Sequence, residues 1–312
     1  MYIPNQESPM SETIEKTFNV SAPASLAVSN ISGSVEIHPG EEGVIQVTVV
    51  KRPSSGDEKR TQIEITQEVD GTIKAATRYP DGGWSWIFGS HPCDVDYVIK
   101  APRLCSVRVN GVSNTVLAEG LEGEINVHTV SGEITLRTLK GSMRIHTVSG
   151  DAEGRQLTGY LEADTVSGDV VVKESTLGAI KGKTVSGDMK ISTPLANGPY
   201  DFKSVSGDVR LTMPSDTHCT GDLHSLSGTL STAFPSNGYS SGHGSQSVLV
   251  QGGGVKISLN SVSGDLSLDC DGEISTNSQA TKTVSSEERK AVLEGVERGQ
   301  MTVEQALGKL HS

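Results

Sequence analysis

Residues 121–174 read LEGEINVHT-VSGEITLRT-LKGSMRIHT-VSGDAEGRQ-LTGYLEADT-VSGDVVVKE when they are written in groups of nine. Each group opens with an apolar residue and carries glycine at its third position. After the glycine, apolar residues alternate with residues of any type. Alternation with a period of two is typical of a half-buried β-strand, and glycine between strands is typical of a turn. Because two forms of the group alternate, the structural repeat is 18 residues long.

The form that contains Val-Ser-Gly recurs along the chain in steps of 18 to 21 residues and then one step of 36. Coils of this length stack as parallel strands about 4.8 Å apart. The sequence therefore predicts a mainly β fold, a parallel β-solenoid built from nine-residue half-coils. A left-handed hexapeptide helix is the alternative, but it needs an aliphatic residue every six positions and meets Glu124 and Ser142 there. The glycines of the repeated string are Gly132, Gly150, Gly168, Gly187, Gly207, Gly228 and Gly264.

Four columns of apolar residues are predicted to point into the solenoid, where each buried side chain contributes roughly 1.5–3 kcal/mol before entropy is subtracted. They are Val130, Val148, Val166, Val185, Val205, Leu226 and Val262; Ile134, Ala152, Val170, Met189, Val209, Leu230 and Leu266; Ile125, Met143, Leu161, Ile180 and Tyr200; and Leu121, Leu139, Leu157, Leu177 and Leu195.

The flanks of the repeat differ from it in character. Residues 12–110 show β patterning that we expect to be continuous with the solenoid at 111–276, and the Gly/Ser-rich stretch 233–254 is expected to interrupt the coils as a mobile loop or hairpin. Residues 1–11 are expected to be disordered, and 277–284 to be a linker. Capping-box patterns in the tail predict an α-helical hairpin at 285–312, with helices at 286–298 and 303–311.

Composition limits the classes of function. The 312 residues include 26 basic and 38 acidic side chains, a net charge of −12 that disfavours nucleic acid as a partner. No apolar run reaches the ~18 residues of a membrane span, and the start, MYIPNQESPM, does not resemble a signal peptide. We therefore expect a cytoplasmic protein, with the cell surface reached only by unconventional export. The four cysteines lie too far apart to predict a disulfide framework or a zinc site.

Three stretches carry a family resemblance: NISGSVEI near the start, DVDYVIKAPRLCSVRVNGVSN before the repeat, and the TVSGD coils. They resemble a bacterial family of unknown function labelled "putative adhesin" or β-strand-repeat protein. The tail ERKAVLEGVERGQMTVEQALGKL is similar to a short helical domain of cell-envelope-stress proteins. The resemblance implies a fold and a role in envelope-stress signalling or assembly, and it implies no catalytic residues.

Two polar columns could carry chemistry. An acidic column follows the turn glycine, and stacked carboxylates could bind Ca²⁺; the favoured interpretation is that each carboxylate bonds its own turn backbone. A second column, four residues before the glycine, contains His128, His146 and Asp164, which is a possible transition-metal set. Because the column continues with Lys183 and Lys203, which repel a cation, a solvated polar face is favoured. We therefore predict no metal, no cofactor and no catalytic residue. The acidic column comprises Glu133, Asp151, Asp169, Asp188, Asp208 and Asp265.

Partner contacts are predicted at two places. The loop Trp84-Ser85-Trp86-Ile87-Phe88 concentrates aromatic residues, which either mark an interface or cover the open end of the sheet. The helical hairpin either docks onto a protein or a second copy, or caps the last coil. The predicted contact residues are Trp84, Trp86, Phe88, Leu293, Val296 and Leu307.

Motifs of enzymes such as G-x-S-x-G, the P-loop and H-E-x-x-H do not occur in the sequence. The sequence thus predicts a non-enzymatic scaffold or interaction protein. A self-assembling filament, and a surface adhesin that binds glycans with calcium, are the alternatives.

Overall fold

The computed structural model describes residues 12–52, 60–79, 93–241 and 244–271, and in these ranges every regular element is a β-strand. The 23 strands belong to one large, mostly parallel sheet system. They are β1 (Glu12–Asn19), β2 (Ala24–Pro39), β3 (Val44–Arg52), β4 (Gln62–Gln67), β5 (Ile73–Arg78), β6 (Asp94–Ala101), β7 (Cys105–Glu119), β8 (Glu122–Thr129), β9 (Ile134–Arg137), β10 (Lys140–Thr147), β11 (Ala152–Arg155), β12 (Thr158–Asp164), β13 (Val170–Lys173), β14 (Thr176–Lys183), β15 (Met189–Ser192), β16 (Tyr200–Lys203), β17 (Val209–Pro214), β18 (Cys219–His224), β19 (Leu230–Thr232), β20 (Ser236–Ser241), β21 (Ser245–Val250), β22 (Val255–Asn260) and β23 (Leu266–Asp271).

The predicted fold class, a solenoid joined to a C-terminal helical hairpin, is wrong as a whole. The described part of the chain contains no helix, and its architecture is mainly β, with a large sheet of mostly parallel strands. The hairpin predicted at 285–312 lies outside the described residues. Capping-box patterns are short-range signals that short polar segments also satisfy, so they did not justify a second fold element.

The repeat itself produces the expected stacking. Each coil supplies two strands, and each strand pairs in parallel with its equivalent in the next coil; Gly123 lies beside Gly141, and Gly141 beside Gly159. Equivalent residues are therefore neighbours along the stack. Two strand rows result: the first row is β8, β10, β12, β14, β16, β22 and β18, and the second row is β9, β11, β13, β15, β17, β23 and β19.

The N-terminal strands β1 to β7 extend both rows. The long strands β2 and β7 contribute to each row and pair with one another in parallel, with Ser32 beside Ser113. The first row continues through β5 to the antiparallel strand β4. The second row continues through β6 to the antiparallel strands β3 and β1.

The coils at the other end do not follow chain order. Strand β22 lies between β16 and β18, and β23 lies between β17 and β19. The coil around Gly264 is thus inserted between the coils of Gly207 and Gly228. The segment that precedes it forms an antiparallel hairpin, β20–β21, in which β21 pairs with β18 at the end of the first row.

Three of the four predicted inward columns are buried. Ile125, Met143 and Leu161 are at most 1% exposed, and the columns that begin at Ile134 and Leu121 are buried apart from Leu195 and Leu230, which are partly buried. Small aliphatic side chains fill most of this core.

The prediction that the fourth column, which begins at Val130, points into the solenoid is wrong. Val130, Val148 and Val166 point outward and are 44–47% exposed. The residue before each of them, as at Thr129, Thr147 and Thr165, is buried in its place. Every second residue of this strand, at Ile125, Val127 and Thr129, is buried. Because Thr129 occupies the last buried position, Val130 after it faces solvent.

Candidate interaction surface

The corners that follow Thr147, Thr165 and Thr184 share one hydrogen-bonding pattern. The amide of Gly150 donates to Thr147 Oγ1 at 2.9 Å, and the amide of Gly168 donates to Thr165 Oγ1 at 3.0 Å. A hydroxyl that accepts from a backbone amide near it stabilises a turn. Because the threonine must lie inside to make this bond, the two central residues of the turn, valine and serine, are held outside.

Glycine is required at these corners because successive coils approach closely. A Cβ added to Gly150 would overlap the carbonyl oxygen of Gly132, and one added to Gly168 would overlap that of Gly150. Neighbouring corners are also bonded together, since the amide of Ser149 donates to Val130 O at 3.0 Å and that of Ser167 to Val148 O at 2.9 Å. The corners therefore form a straight and tightly spaced row.

A column of aliphatic side chains runs along this row, and we call it the valine column. Its valines are 44–48% exposed, although all other large aliphatic columns of the coils are buried. At about 4.8 Å per coil, the eight positions span roughly 34 Å. In stacking order the column is Val112, Val130, Val148, Val166, Val185, Val205, Val262 and Leu226.

The acidic column lies on one side of the valine column, and its carboxylates are bonded to the backbone. Asp151 Oδ1 accepts the amide of Asp169 at 2.9 Å, and Asp169 Oδ1 accepts that of Asp188 at 2.8 Å. The acceptor thus serves the next coil and not its own turn. Among the described residues, no group of three or more His, Cys, Asp or Glu side chains is placed to hold a metal ion.

The polar column lies on the other side: Asn110, His128, His146, Asp164, Lys183, Lys203, Asn260 and His224. The rings of His128 and His146 stack with their centroids 4.8 Å apart. Asp164 accepts a hydrogen bond from Lys183 Nζ at 3.0 Å and lies 3.5 Å from His146 Nδ1. Burial, followed by the charges of His146 and Arg108, lowers the pKa of His128 below its ordinary value.

A groove of about 470 Å³ separates the polar column from the valine column. Its lining includes His128, His146 and Asp164 of the polar column and Val130, Val148 and Val166 of the valine column. Beyond the polar column, Arg144, Glu162 and Lys181 form an ion-pair network, in which Lys181 Nζ lies 3.1 Å from Glu162. The hydrogen bond from Lys181 holds the pKa of Glu162 below its usual range.

The residues that the sequence predicted as partner contacts are not part of this surface. Trp84, Trp86 and Phe88 fall in 80–92, and Leu293, Val296 and Leu307 fall in 272–312, so all six lie outside the described residues. The valine column, by contrast, was missed. One sequence signal could have revealed this column. Every second residue of the strand before the corner is apolar, and continuing that count places the threonine, and not the valine, in the buried position.

The four cysteines are free thiols, and Cys93, Cys105 and Cys219 are buried. Burial raises the pKa of Cys105 to about 12 and that of Cys219 to about 11. These thiols stay protonated at neutral pH, which makes them poor nucleophiles. Only Cys270 is partly exposed.

A family model described as Toastrack DUF4097 matches residues 1–197 and 171–269. The chain belongs to the Toastrack DUF4097 family. The resemblance to a bacterial repeat family of unknown function is thereby confirmed, whereas the helical domain that the same resemblance implied for the tail has no support.

Several solved structures are similar to the Toastrack chain. A "putative adhesin" from Bacteroides fragilis NCTC 9343 is 11% identical, with a TM-score of 0.45 over 83% of this chain and 97% of that one. A "putative lipid binding protein" from Parabacteroides distasonis ATCC 8503 is 14% identical, with a TM-score of 0.45 and the same coverage. A "putative adhesin" from Parabacteroides merdae ATCC 43184 is 10% identical, with a TM-score of 0.39 over 84% and 97%. No curated protein matches the chain.

Within residues 12–52, 60–79, 93–241 and 244–271, no helix has the length and apolarity needed to cross a membrane.

Proposed function

We propose that this Toastrack chain is a non-enzymatic binding scaffold that contacts a protein partner through the valine column. The observation that carries the proposal is the exposure of Val112, Val130, Val148, Val166, Val185, Val205 and Val262, each between 44 and 48%, in one line along the stack. Isolated apolar residues on a surface need no explanation, but a contiguous apolar stripe marks an interaction site.

The energetics favour a partner that covers the whole column. Completing the burial of one half-exposed valine contributes on the order of 1 kcal/mol. Eight aligned positions therefore supply enough apolar area for a stable contact only when an extended partner engages most of them. The tightly bonded corners hold the side chains in place before the partner arrives, which reduces the entropy lost on binding.

The two polar flanks would supply orientation. Imidazole, amide, carboxylate and ammonium groups of the polar column follow one side of the valine column, and the carboxylates of the acidic column follow its other side. An apolar centre with a polar rim is the usual anatomy of a protein interface. The partner surface is accordingly an apolar ridge with basic groups towards the acidic column.

The proposal is tested with a variant that makes three central positions polar, Val148→Ser, Val166→Ser and Val185→Ser. Wild-type and variant chains are immobilised, exposed to native extract, and the retained proteins are quantified by mass spectrometry. We expect at least a tenfold loss of a discrete partner, followed by the same loss of affinity when that partner is purified.

The matched control changes three stacked, exposed positions at the opposite corner: Thr138→Ser, Gln156→Ser and Glu174→Ser. This control should retain the partner as the wild type does. Equal retention by the valine variant, with an unchanged melting temperature, would contradict the proposal.

A further inference from the structure

The inserted coil is held on both sides by strands that precede it in the chain. Residues 255–271 fill a slot whose walls are the preceding coil, β16 and β17, and the end coil, β18 and β19. The strands of both walls come earlier in the sequence than the segment that fills the slot. The slot is thus a binding site for a peptide of this sequence, and the chain's own segment is its present occupant.

The contacts that hold residues 255–271 depend on how β22 and β23 are aligned with the strands beside them. They do not depend on the link that joins the segment to the rest of the chain. In the first row Ile257 lies between Tyr200 and Gly221, and in the second row Leu266 lies between Val209 and Leu230. Hydrogen bonds run through both walls: Val209 N donates to Asp265 O at 2.9 Å, and Leu266 N donates to Thr229 O at 3.0 Å. The same segment from another copy would make every one of these contacts.

The link into the slot is a strained hinge. Strand β21 ends at Val250 on the far side of β18, and β22 begins at Val255, so Gln251–Gly254 must turn the chain back across the sheet. Three successive residues have positive φ: Gln251 at 49°, Gly252 at 90° and Gly253 at 87°. Of the three, only Gln251 carries a side chain, which is disfavoured at positive φ, so opening of the hinge would release the strain at Gln251.

We propose that two copies of this chain exchange residues 255–271 reciprocally, with Gln251–Gly254 as the hinge. Each slot then holds the partner's segment, and all inter-coil contacts of both copies are preserved. The closed monomer is favoured at low concentration because its segment is tethered nearby. The exchanged dimer gains from the relaxed hinge and forms at high concentration.

Two single-cysteine variants report the exchange directly. Lys203 and Asn260 are exposed, and their Cα atoms are paired partners across β16 and β22. Both Lys203→Cys and Asn260→Cys are made in a Cys270→Ser background, which leaves only buried native thiols among the described cysteines. The two proteins are mixed at high concentration, held a few degrees below the melting temperature, cooled and oxidised. Exchange places the two new thiols of different copies side by side, so a disulfide-linked heterodimer is expected on a non-reducing gel.

The matched control uses Asn110→Cys and His128→Cys, two exposed positions of the same column whose Cα atoms pair across β7 and β8. This pair lies outside the exchanged segment and should link at least tenfold less. Equal linking in both mixtures indicates collision of surface thiols and overturns the proposal. Absence of linking in the first mixture overturns it as well.

A hinge series gives a second measurement that needs no cysteine. Deleting Gly252 and Gly253 prevents the chain from turning back into its own slot, whereas inserting four glycine or serine residues removes the strain. Sedimentation should show a larger dimer fraction for the shortened hinge and a smaller one for the extended hinge than for the wild type. If the extended hinge dimerises as much as the wild type, the strained link is not the cause and the proposal fails.

Discussion

At the scale of single residues, one hydroxyl group determines which side chain is buried at the corners of Gly150, Gly168 and Gly187. The buried threonine satisfies the amide of the corner glycine, and a buried amide without a partner costs about 1–3 kcal/mol. Valine has the same shape as threonine but cannot accept this hydrogen bond. The polar residue is therefore the one inside, and the aliphatic residue is the one outside.

Replacing the buried hydroxyl tests this explanation. Thr165→Val should lower the free energy of unfolding by about 1–3 kcal/mol, because Gly168 N–H loses its acceptor while the volume is kept. Thr165→Ser should cost less, since serine occupies the equivalent positions Ser204 and Ser225. The measurement is chemical denaturation of both variants. A Thr165→Val variant as stable as the wild type would show that the hydroxyl does not determine the corner.

His128 gives the protein a pH dependence of stability, because burial lowers the pKa of its imidazole. Because the pKa of His128 is lowered in the folded state from 6.5, the unfolded chain binds more protons as the pH falls below about 6.5. The free energy of unfolding should therefore fall with pH from about 6.5 towards the folded pKa, and be unaffected by this group above that window. His128→Asn should flatten this part of the profile, and asparagine already occupies the column at Asn110 and Asn260. If the slope between pH 7.5 and 5 is the same in His128→Asn as in the wild type, His128 is not its source.

At the scale of elements, the coils are joined by hydrogen bonds between equivalent residues as well as by the core. Alternation and glycine spacing predicted the buried columns because both are local properties of a strand and its turn. The direction of the acidic side chains could not be predicted in this way, since a carboxylate at a turn can bond its own coil or the next. Only the close approach of the corners, at Gly150 and Gly168, brings the next amide within reach.

Substitutions in the acidic column can distinguish the hydrogen bond that a carboxylate accepts from the repulsion that its charge causes. Asp169→Asn keeps an oxygen for the amide of Asp188 and removes repulsion of about 0.8 kcal/mol between neighbouring carboxylates about 5 Å apart in water. We expect this variant to be as stable as the wild type or slightly more stable. Asp169→Ala should lose about 0.5–1.5 kcal/mol with the hydrogen bond. Thermal unfolding with and without millimolar Ca²⁺ completes the test, and a calcium-dependent gain that both variants abolish would contradict the hydrogen-bonding role.

At the scale of the whole described unit, the order of coils is the feature that sequence could not supply. The coils of Gly228 and Gly264 have similar corner sequences. The glycine spacing is therefore compatible with either coil stacking next to the coil of Gly207. The choice depends on the hairpin β20–β21, which covers the end coil at β18 and returns the chain to the slot. A non-local contact of this kind has no signature in a periodic pattern.

The order of coils predicts a ranking of two identical substitutions. Leu266 is fully buried between Val209 and Leu230, whereas Leu230 is the end position of its column and is only partly buried. Leu266→Ala should cost about 2–5 kcal/mol of unfolding free energy, the usual range for a leucine truncated in a packed core, and Leu230→Ala clearly less. Stacking in chain order reverses the ranking, because Leu230 would then lie inside the column and Leu266 at its end. Denaturation of the two variants under one set of conditions therefore decides between the orders, and a larger loss at Leu230 would remove the slot from which strand exchange was inferred.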